Sequence, residues 1–279
     1  MSKSLLEVPN PADHPYRIAP GTPVDLKSLP TRDESLFPVS KSEGKDLFDS
    51  LEDEIDELQT RLYAEGKHKL LVVFQAMGTG GKDGTIRAVF DKMDPQGIRV
   101  ASFKRPSSRE LAHDYLWRVH KETPGNGETV IFNRSHYEDI TAVRVRDIYP
   151  EECWSKRYDH VRNFEQMLTD EGTTIIKIFL NISLDEQKAR LQSRLDEPAK
   201  NWKFNPSDLE DRALWPKFMD AYNDVISRTS TETVPWYVIP ADRKWYRNLA
   251  VAQIVIGTLR ELNMQYPPVD FDPKSITID

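Results

Sequence analysis

The chain has 279 residues, 45 acidic against 38 basic side chains and one cysteine, Cys153. One substantial core fits that length and two full domains do not; a lone cysteine excludes an intramolecular disulfide, and no apolar run reaches the roughly 18 residues of a membrane span. The net charge of −7 falls on residues 1–66, which hold 14 acids and 7 bases, and the remaining 31 of each sign lack the net basic character of a nucleic-acid-binding protein.

With no secretory signal, the single thiol points to a reducing, cytoplasmic setting. Seven of the 19 prolines fall in residues 1–40. No helical or alternating pattern develops between them, so this stretch is expected to be an extended arm on the surface. From about Ser42 to Glu65 the apolar residues Leu47, Leu51, Ile55, Leu58 and Leu62 recur at helical spacing with acids between them and Gly66 as a stop. That predicts a long amphipathic helix, whose stripe is better suited to docking on a core than to a dimer's coiled coil.

Leu70, Leu71, Val72, Val73 and Phe74 form a continuous apolar run, the pattern of a parallel strand covered on both faces. Directly after it come Gly78, Gly80, Gly81, Lys82 and Gly84. Glycines there let the backbone turn tightly and aim successive N–H groups inward, the following helix adds the positive end of its dipole, and Lys82 supplies a mobile charge. The segment therefore reads as a phosphate cradle made by Gly80, Gly81, Lys82, Asp83, Gly84 and Thr85. It departs from the standard spacing G-x-x-x-x-G-K-[ST], with Ala76 in place of the first glycine and Asp83 in place of the hydroxyl.

A helix from Gly84 to Met93 is stopped by Pro95, and a second strand runs from Ile98 to Phe103. Ser107-x-x-Glu110 is a capping box that opens a further helix. A third strand, Thr129–Phe132, precedes helices at about Asp139–Val145 and Ser155–Asp170. A fourth, Thr174–Leu180, precedes a helix capped by Ser183-x-x-Glu186 and a charged stretch from Asp196 to Ser207; a fifth, Pro235–Ile239, precedes the last long helix, Asp242–Asn263. Strands alternating with helices predict an α/β fold: a doubly wound parallel sheet with helices on both faces, and a ligand crevice beyond the carboxyl ends of the strands.

The third strand runs into Asn133-Arg134-Ser135-His136-Tyr137-Glu138-Asp139, a dense polar cluster where a second strand end would deliver groups to a phosphate site. Through QAMGTGGKDGTIR, FNRSHYED, DEGTTIIKIFLNIS, NWKF and STETVPWYVIPADRKWYRN, over nearly everything from Lys45 to Tyr266, the chain resembles the polyphosphate kinase 2 family. That family is a branch of the P-loop kinases that moves phosphoryl groups between inorganic polyphosphate and nucleotides. The form FNRSHYED is similar to the branch that accepts AMP as well as ADP, rather than the branch with FDRSWY. The resemblance implies a three-layer P-loop kinase-like fold, a single catalytic domain over residues 41–279 behind the 1–40 arm, and a helical lid at about 183–215. It also implies magnesium, or manganese in its place, as cofactor, with polyphosphate and AMP, ADP or ATP as substrates and a homo-oligomer, dimer or tetramer, as the assembly. Two residues depart from it: the family's loop usually has an aspartate where this chain has Gly78, and other branches end the third strand in aspartate where this chain has Asn133.

Phosphoryl transfer asks a protein for positioning and charge neutralisation rather than covalent chemistry. On the implied reading the loop amides and Lys82 grip the phosphate in transit, Arg134 touches the same group, and Asp139, with Asp83 and Glu138 as the other nearby acids, holds magnesium through oxygen. The residues alone leave alternatives open: Glu138 and Asp139 equally suit a helix cap, and Arg134 a salt bridge to either across the turn. A polyphosphate chain, with about one charge per residue, needs a row of fixed cations. Arg190 and Arg194, four apart on one predicted helix, supply it with Lys200 and Lys203 along the lid, although on residues alone this run reads as a solvated charged face; Arg144 and Arg146 extend the track. Lys104 and Arg105, which end the second strand beside the site, and Glu138 are the candidates for nucleotide binding. Trp202, Trp236, Trp245 and Tyr246 suit either base stacking or core packing. His136 is a supporting residue, since transfer to an anionic phosphate needs no base. Two other functions share these features: an ATP-dependent nucleotide kinase with the same loop and lid, and, in view of Gly78, a weakly catalytic polyphosphate- or nucleotide-binding protein.

Overall fold

The computed structural model describes residues 8–278. In chain order its sheet strands are β1 (Arg17–Ile18), β2 (Lys69–Ala76), β3 (Ile98–Ser102), β4 (Thr129–Asn133), β5 (Thr173–Asn181) and β6 (Trp236–Pro240), arranged β1-β6-β5-β2-β4-β3. Neighbours are parallel except β1, which pairs antiparallel with β6. The apolar run that follows Lys69 explains the central place of β2: every residue from Leu70 to Ala76 is buried, which only an interior strand covered on both faces allows. From β2 the chain moves outward to β3, returns to β4, then crosses to β5 and β6. The direction of winding therefore reverses at β2, and the crevice at its carboxyl end is where such folds place ligands.

On one face lie α1 (Lys41–Glu65), α2 (Lys82–Val89) and α11 (Lys244–Glu261). Ser40 and Glu43 cap α1 reciprocally, and Gly66, at φ 63°, ends it in the left-handed conformation that glycine adopts without penalty. The stripe Leu47, Leu51, Ile55, Leu58 and Leu62 packs into the same core cluster as α11, so this apolar face is covered within the chain. Because α11 lies between α1 and the sheet, it is apolar almost all round, buried from Tyr246 to Leu259. The short α3 (Ser108–Leu111) and α4 (Trp117–His120) lie between β3 and β4. The opposite face carries α5 (Glu138–Val145), α6 (Glu151–Trp154), α7 (Arg157–Asp170) and α10 (Trp215–Thr229), which with the sheet enclose a second core. Between β5 and α10 the chain makes α8 (Leu184–Asp196), a 3₁₀ segment at Pro198–Lys203 and α9 (Ser207–Ala213).

The sheet and its helices thus form the expected three-layer α/β fold, with differences in detail. α2 begins at Lys82 rather than Gly84, because the loop before it closes by Gly81, at φ 102°. α9 falls inside the stretch that the resemblance implies as a helical lid, and α10 where the sequence places no element. Residues 8–40 also contribute more than an arm: β1 extends the sheet, and Leu26 and Phe37 are buried in its two cores. No helix among the described residues is long and apolar enough to cross a membrane.

Candidate active site

The loop after β2 owes its shape to missing side chains and to two braces. A Cβ on Gly80 would stand 2.5 Å from the Cβ of Ala76 and 2.9 Å from the Met77 carbonyl oxygen, and one on Gly81 would run into the Arg247 guanidinium. Thr79, a β-branched residue, is held at φ 63°, a strained setting that surrounding contacts must enforce. Arg190 is one source of those contacts. Its Nη1 donates to the carbonyls of Thr79 and Gly80 (3.0 Å each), its Nη2 to Ala241 O (2.6 Å), and its Nε to Glu186 (2.7 Å). Gln187 is the other, its Nε2 donating to Gly78 O (3.1 Å).

Lys82 opens α2 with its side chain folded back, Nζ donating to Ala76 O at 3.1 Å. Burial, and then the nearby Arg134, lower its pKa to about 8, against the opposing pull of Glu138, Asp83 and Asp208. Arg247 is 2% exposed, and among the described residues its guanidinium donates only to the neighbouring Asn248 Oδ1. Burial, with Arg190 adding to it, brings its pKa down to about 9. Among the described residues no carboxylate pairs with it, so a buried cation rests directly on the cradle glycines.

The end of β4 faces this loop. Arg134 sits at φ 64°, its N–H donates to Phe74 O (3.1 Å), and its side chain is exposed in the crevice. Asn133 Nδ2 donates to Asp83 Oδ1 at 2.6 Å. Gln75, with its amide oriented to satisfy its neighbours, donates to Glu138 Oε1 (3.0 Å) and accepts from Ser135 N (3.2 Å). Burial pushes the Glu138 carboxyl up, while Arg134 and Lys82 pull it down. Beneath this segment lies a buried network: Lys177 Nζ donates to Glu165 Oε2 (2.7 Å), Tyr137 Oη (3.0 Å) and Thr229 O (2.7 Å), and Tyr137 Oη donates to Glu165 Oε1 (2.8 Å). His136 Nε2 lies 3.2 Å from the same carboxylate. His136 and Tyr137 are thereby fixed in the core, which aims Arg134 and Glu138 on either side of them.

The remaining expected residues divide. Asp139 does not face the loop acids: it lies between Arg118 (3.6 Å) and Arg157 (3.9 Å). Burial pushes its carboxyl up against the pull of those two arginines. Arg190 lies behind the loop rather than along an open track. Arg194 Nη1 pairs with Asp208 (3.1 Å), Lys200 turns to Glu197 (2.5 Å), and Lys203 lies over the exposed Trp202 ring (5.0 Å). Arg144 pairs with Asp224 and Arg146 with Asp211. Lys104 and Arg105 are exposed beyond β3, with Lys104 O accepting from Arg118 Nη1 (2.8 Å). Trp236 and Tyr246 are fully buried and belong to the core. Arg247, Gln187 and Asp208 join the site without having been expected there; only Arg247, a charge within the mostly apolar stretch of α11, carries a mark in the sequence.

A divalent cation has to find oxygen here. Among the described residues no three His, Cys, Asp or Glu side chains gather to hold a metal. Magnesium needs less than that, since it keeps several waters and takes one or two carboxylates plus substrate phosphates. Asp83 fits: it is exposed in the crevice beside Lys82, with only Oδ1 engaged, by Asn133. Asp139 fits less well, because a cation there has to replace two guanidinium groups.

A parallel sheet that winds outward from its phosphate-loop strand, with a buried lysine at the head of the crevice, places the protein among the P-loop kinase-like α/β proteins. Within that class the chain belongs to the polyphosphate kinase 2 family, whose profile, described as Polyphosphate kinase 2, matches residues 38–267. It is similar to an AMP/ADP-polyphosphate phosphotransferase from Meiothermus ruber, 54% identical over 95% of this chain and 99% of the relative. It is also similar to an ADP-polyphosphate phosphotransferase from Rhodopseudomonas palustris, 44% identical over 90% of this chain and 91% of the relative. Among solved structures, polyphosphate kinase 2 from Arthrobacter aurescens TC1 superposes with a TM-score of 0.91 at 40% identity, covering 96% of this chain and 95% of that one.

Proposed function

We propose that this protein transfers phosphoryl groups from inorganic polyphosphate to AMP and ADP with the help of magnesium, reversibly in principle. The observation that carries the reading is the amide cradle around Lys82, set in a chain 54% identical to an AMP/ADP-polyphosphate phosphotransferase over almost its whole length. In this reading the loop N–H groups and Lys82 hold the phosphate in transit, and Arg134 reaches it from the end of β4. Magnesium, held through Asp83, supplies charge neutralisation between phosphate oxygens when bound. Residues 183–215 act as a lid that brings Arg194 and Lys203 over the polyphosphate, while Lys104 and Arg105 receive the acceptor nucleotide's phosphate. Glu138 holds Gln75 and, through it, the turn at Ser135, and so sets where Arg134 points. Cys153 is exposed and unpaired, which supports a reducing, cytoplasmic setting.

The test is a donor swap: AMP and magnesium with polyphosphate or ATP as the only donor, and metal omitted as control. ADP formation from polyphosphate is expected. Activity with ATP alone would replace this reading with an ATP-dependent nucleotide kinase, and tight binding without turnover would make the protein a binder.

A further inference from the structure

Gly78 needs its missing side chain for a reason other than backbone shape. Unlike Gly81, it does not lie in the left-handed region. What fills the space is a carboxylate from another element: a Cβ on residue 78 would stand 2.9 Å from Oδ1 of Asp208 and 3.6 Å from its Cγ. Asp208, on α9, also accepts through Oδ2 from Nη1 of Arg194 on α8 (3.1 Å), and both side chains are shielded, 14% and 22% exposed. α9 holds residue 78 a second way. Arg212 Nη1 donates to Gln187 Oε1 (2.9 Å), and Gln187 Nε2 donates to Gly78 O (3.1 Å). α9 is therefore seated on Gly78, two residues before the cradle, and Arg194 is tied to it through the Asp208 carboxylate. Asp208 also acts on the Lys82 ammonium, as one of three carboxylates that offset its desolvation.

We propose that Asp208 is a positioning residue that keeps Arg194 paired and docked on Gly78, and that polyphosphate entering the cradle takes Arg194 away from it. The inference rests on the reading of residues 183–215 as a lid over a polyphosphate site. A phosphate chain and the Asp208 carboxylate carry like charge and seek the same guanidinium, and a phosphate offers it a two-oxygen fork. Binding must then displace the carboxylate, and α9 with it. Gly78 leaves room for the docked carboxylate, since a side chain there forces Asp208 to shift.

Tripolyphosphate is titrated calorimetrically, without nucleotide and with metal chelated, into wild type, Asp208→Asn, Asp208→Ala, Gly78→Ala and the Gly78→Ala/Asp208→Ala double variant. Removing the competing charge in Asp208→Asn is expected to tighten binding about two- to tenfold, the scale of a partly shielded ion pair. Gly78→Ala forces the carboxylate to shift without changing any charge and should tighten binding in the same direction, yet add nothing in the Asp208→Ala background. In turnover, the KM for polyphosphate falls while the KM for AMP stays. A merely structural role would give the opposite sign, weaker binding in each variant. Unchanged or weaker binding by Asp208→Asn, or additive effects of the two single changes, overturns the proposal and leaves the cradle intact. Wild-type protein that fails to bind tripolyphosphate overturns the cradle reading and this inference together.

Discussion

The lowered pKa of Lys82 makes anion binding depend on pH in a way that can be calculated. In the free protein its ammonium titrates near pH 8, whereas a bound phosphate stabilises the charged form and lifts that value. Affinity is therefore full below about pH 8 and falls as pH rises through it. Near pH 7 about nine-tenths of the groups are protonated and near pH 9 about one-tenth, so affinity should drop about tenfold across that interval, roughly 1.4 kcal/mol. Tripolyphosphate titrates as well, so the measurement is a ratio: Kd of wild type over Kd of Lys82→Arg, whose guanidinium stays charged throughout. Calorimetry in buffers of different ionisation enthalpy should also show wild type taking up about half a proton per site more than Lys82→Arg at pH 8. A ratio constant between pH 7 and 9 would refute the claim that burial beside Arg134 controls this lysine. Fold stability should move the opposite way. Because the folded pKa lies below the ordinary 10.5, the unfolded chain binds the extra proton between about pH 8 and 10.5, and the ligand-free protein gains stability across that window.

Glu165→Ala leaves Lys177 buried and charged with no carboxylate, and should cost about 3–5 kcal/mol, read as a lower midpoint in denaturant with unchanged slope. A loss below 1 kcal/mol on the same scale would show that the network under Ser135–Glu138 holds little in place. For the metal, Asp83→Asn should raise the magnesium concentration needed for half-maximal transfer several-fold, whereas Asp139→Asn should leave that requirement unmoved, since its carboxylate faces Arg118 and Arg157. The reverse ranking would restore Asp139 as the ligand.

What could be read from the sequence is what local chemistry decides. The burial of β2 follows from five consecutive apolar residues, the tight turn after it from its run of glycines, and the caps at Ser107 and Ser183 from spacing alone. α10 was legible too: Phe218, Ala221, Tyr222, Val225, Ile226 and Thr229 repeat at helical spacing. Pro216 hides it, because proline reads as a breaker although the first turn of a helix accepts it. β1 is only two residues long and shows no alternation to detect. The direction of a long side chain is harder still. Arg190 and Arg194 share a helix face, yet one turns behind the loop to bind carbonyls and the other meets Asp208, an outcome fixed by where β6 and α9 come to rest. The surroundings of Asp139 are hidden for a similar reason, since Arg118 and Arg157 reach it from segments distant in sequence.

The loop's strain and its uncompensated charge have one explanation. Thr79 and Arg134 each hold a left-handed backbone at a cost of about 1–2 kcal/mol. They persist because Arg190 and Gln187 fix the carbonyls of residues 78 to 80, while Phe74 O and the buried Glu165–Lys177 network fix the far side. That framework sets Lys82 beside Arg134 and Arg247 beside Arg190, and each neighbour adds to burial in lowering the pKa of its partner. Arg190 is offset by Glu186 and Lys82 by Glu138, Asp83 and Asp208, which leaves Arg247 as the buried cation that no described carboxylate meets. On the proposed reading the same framework sets how an anion fits: it enters between the loop and the Arg134 side, because Arg247 and Arg190 close the other side of the glycines.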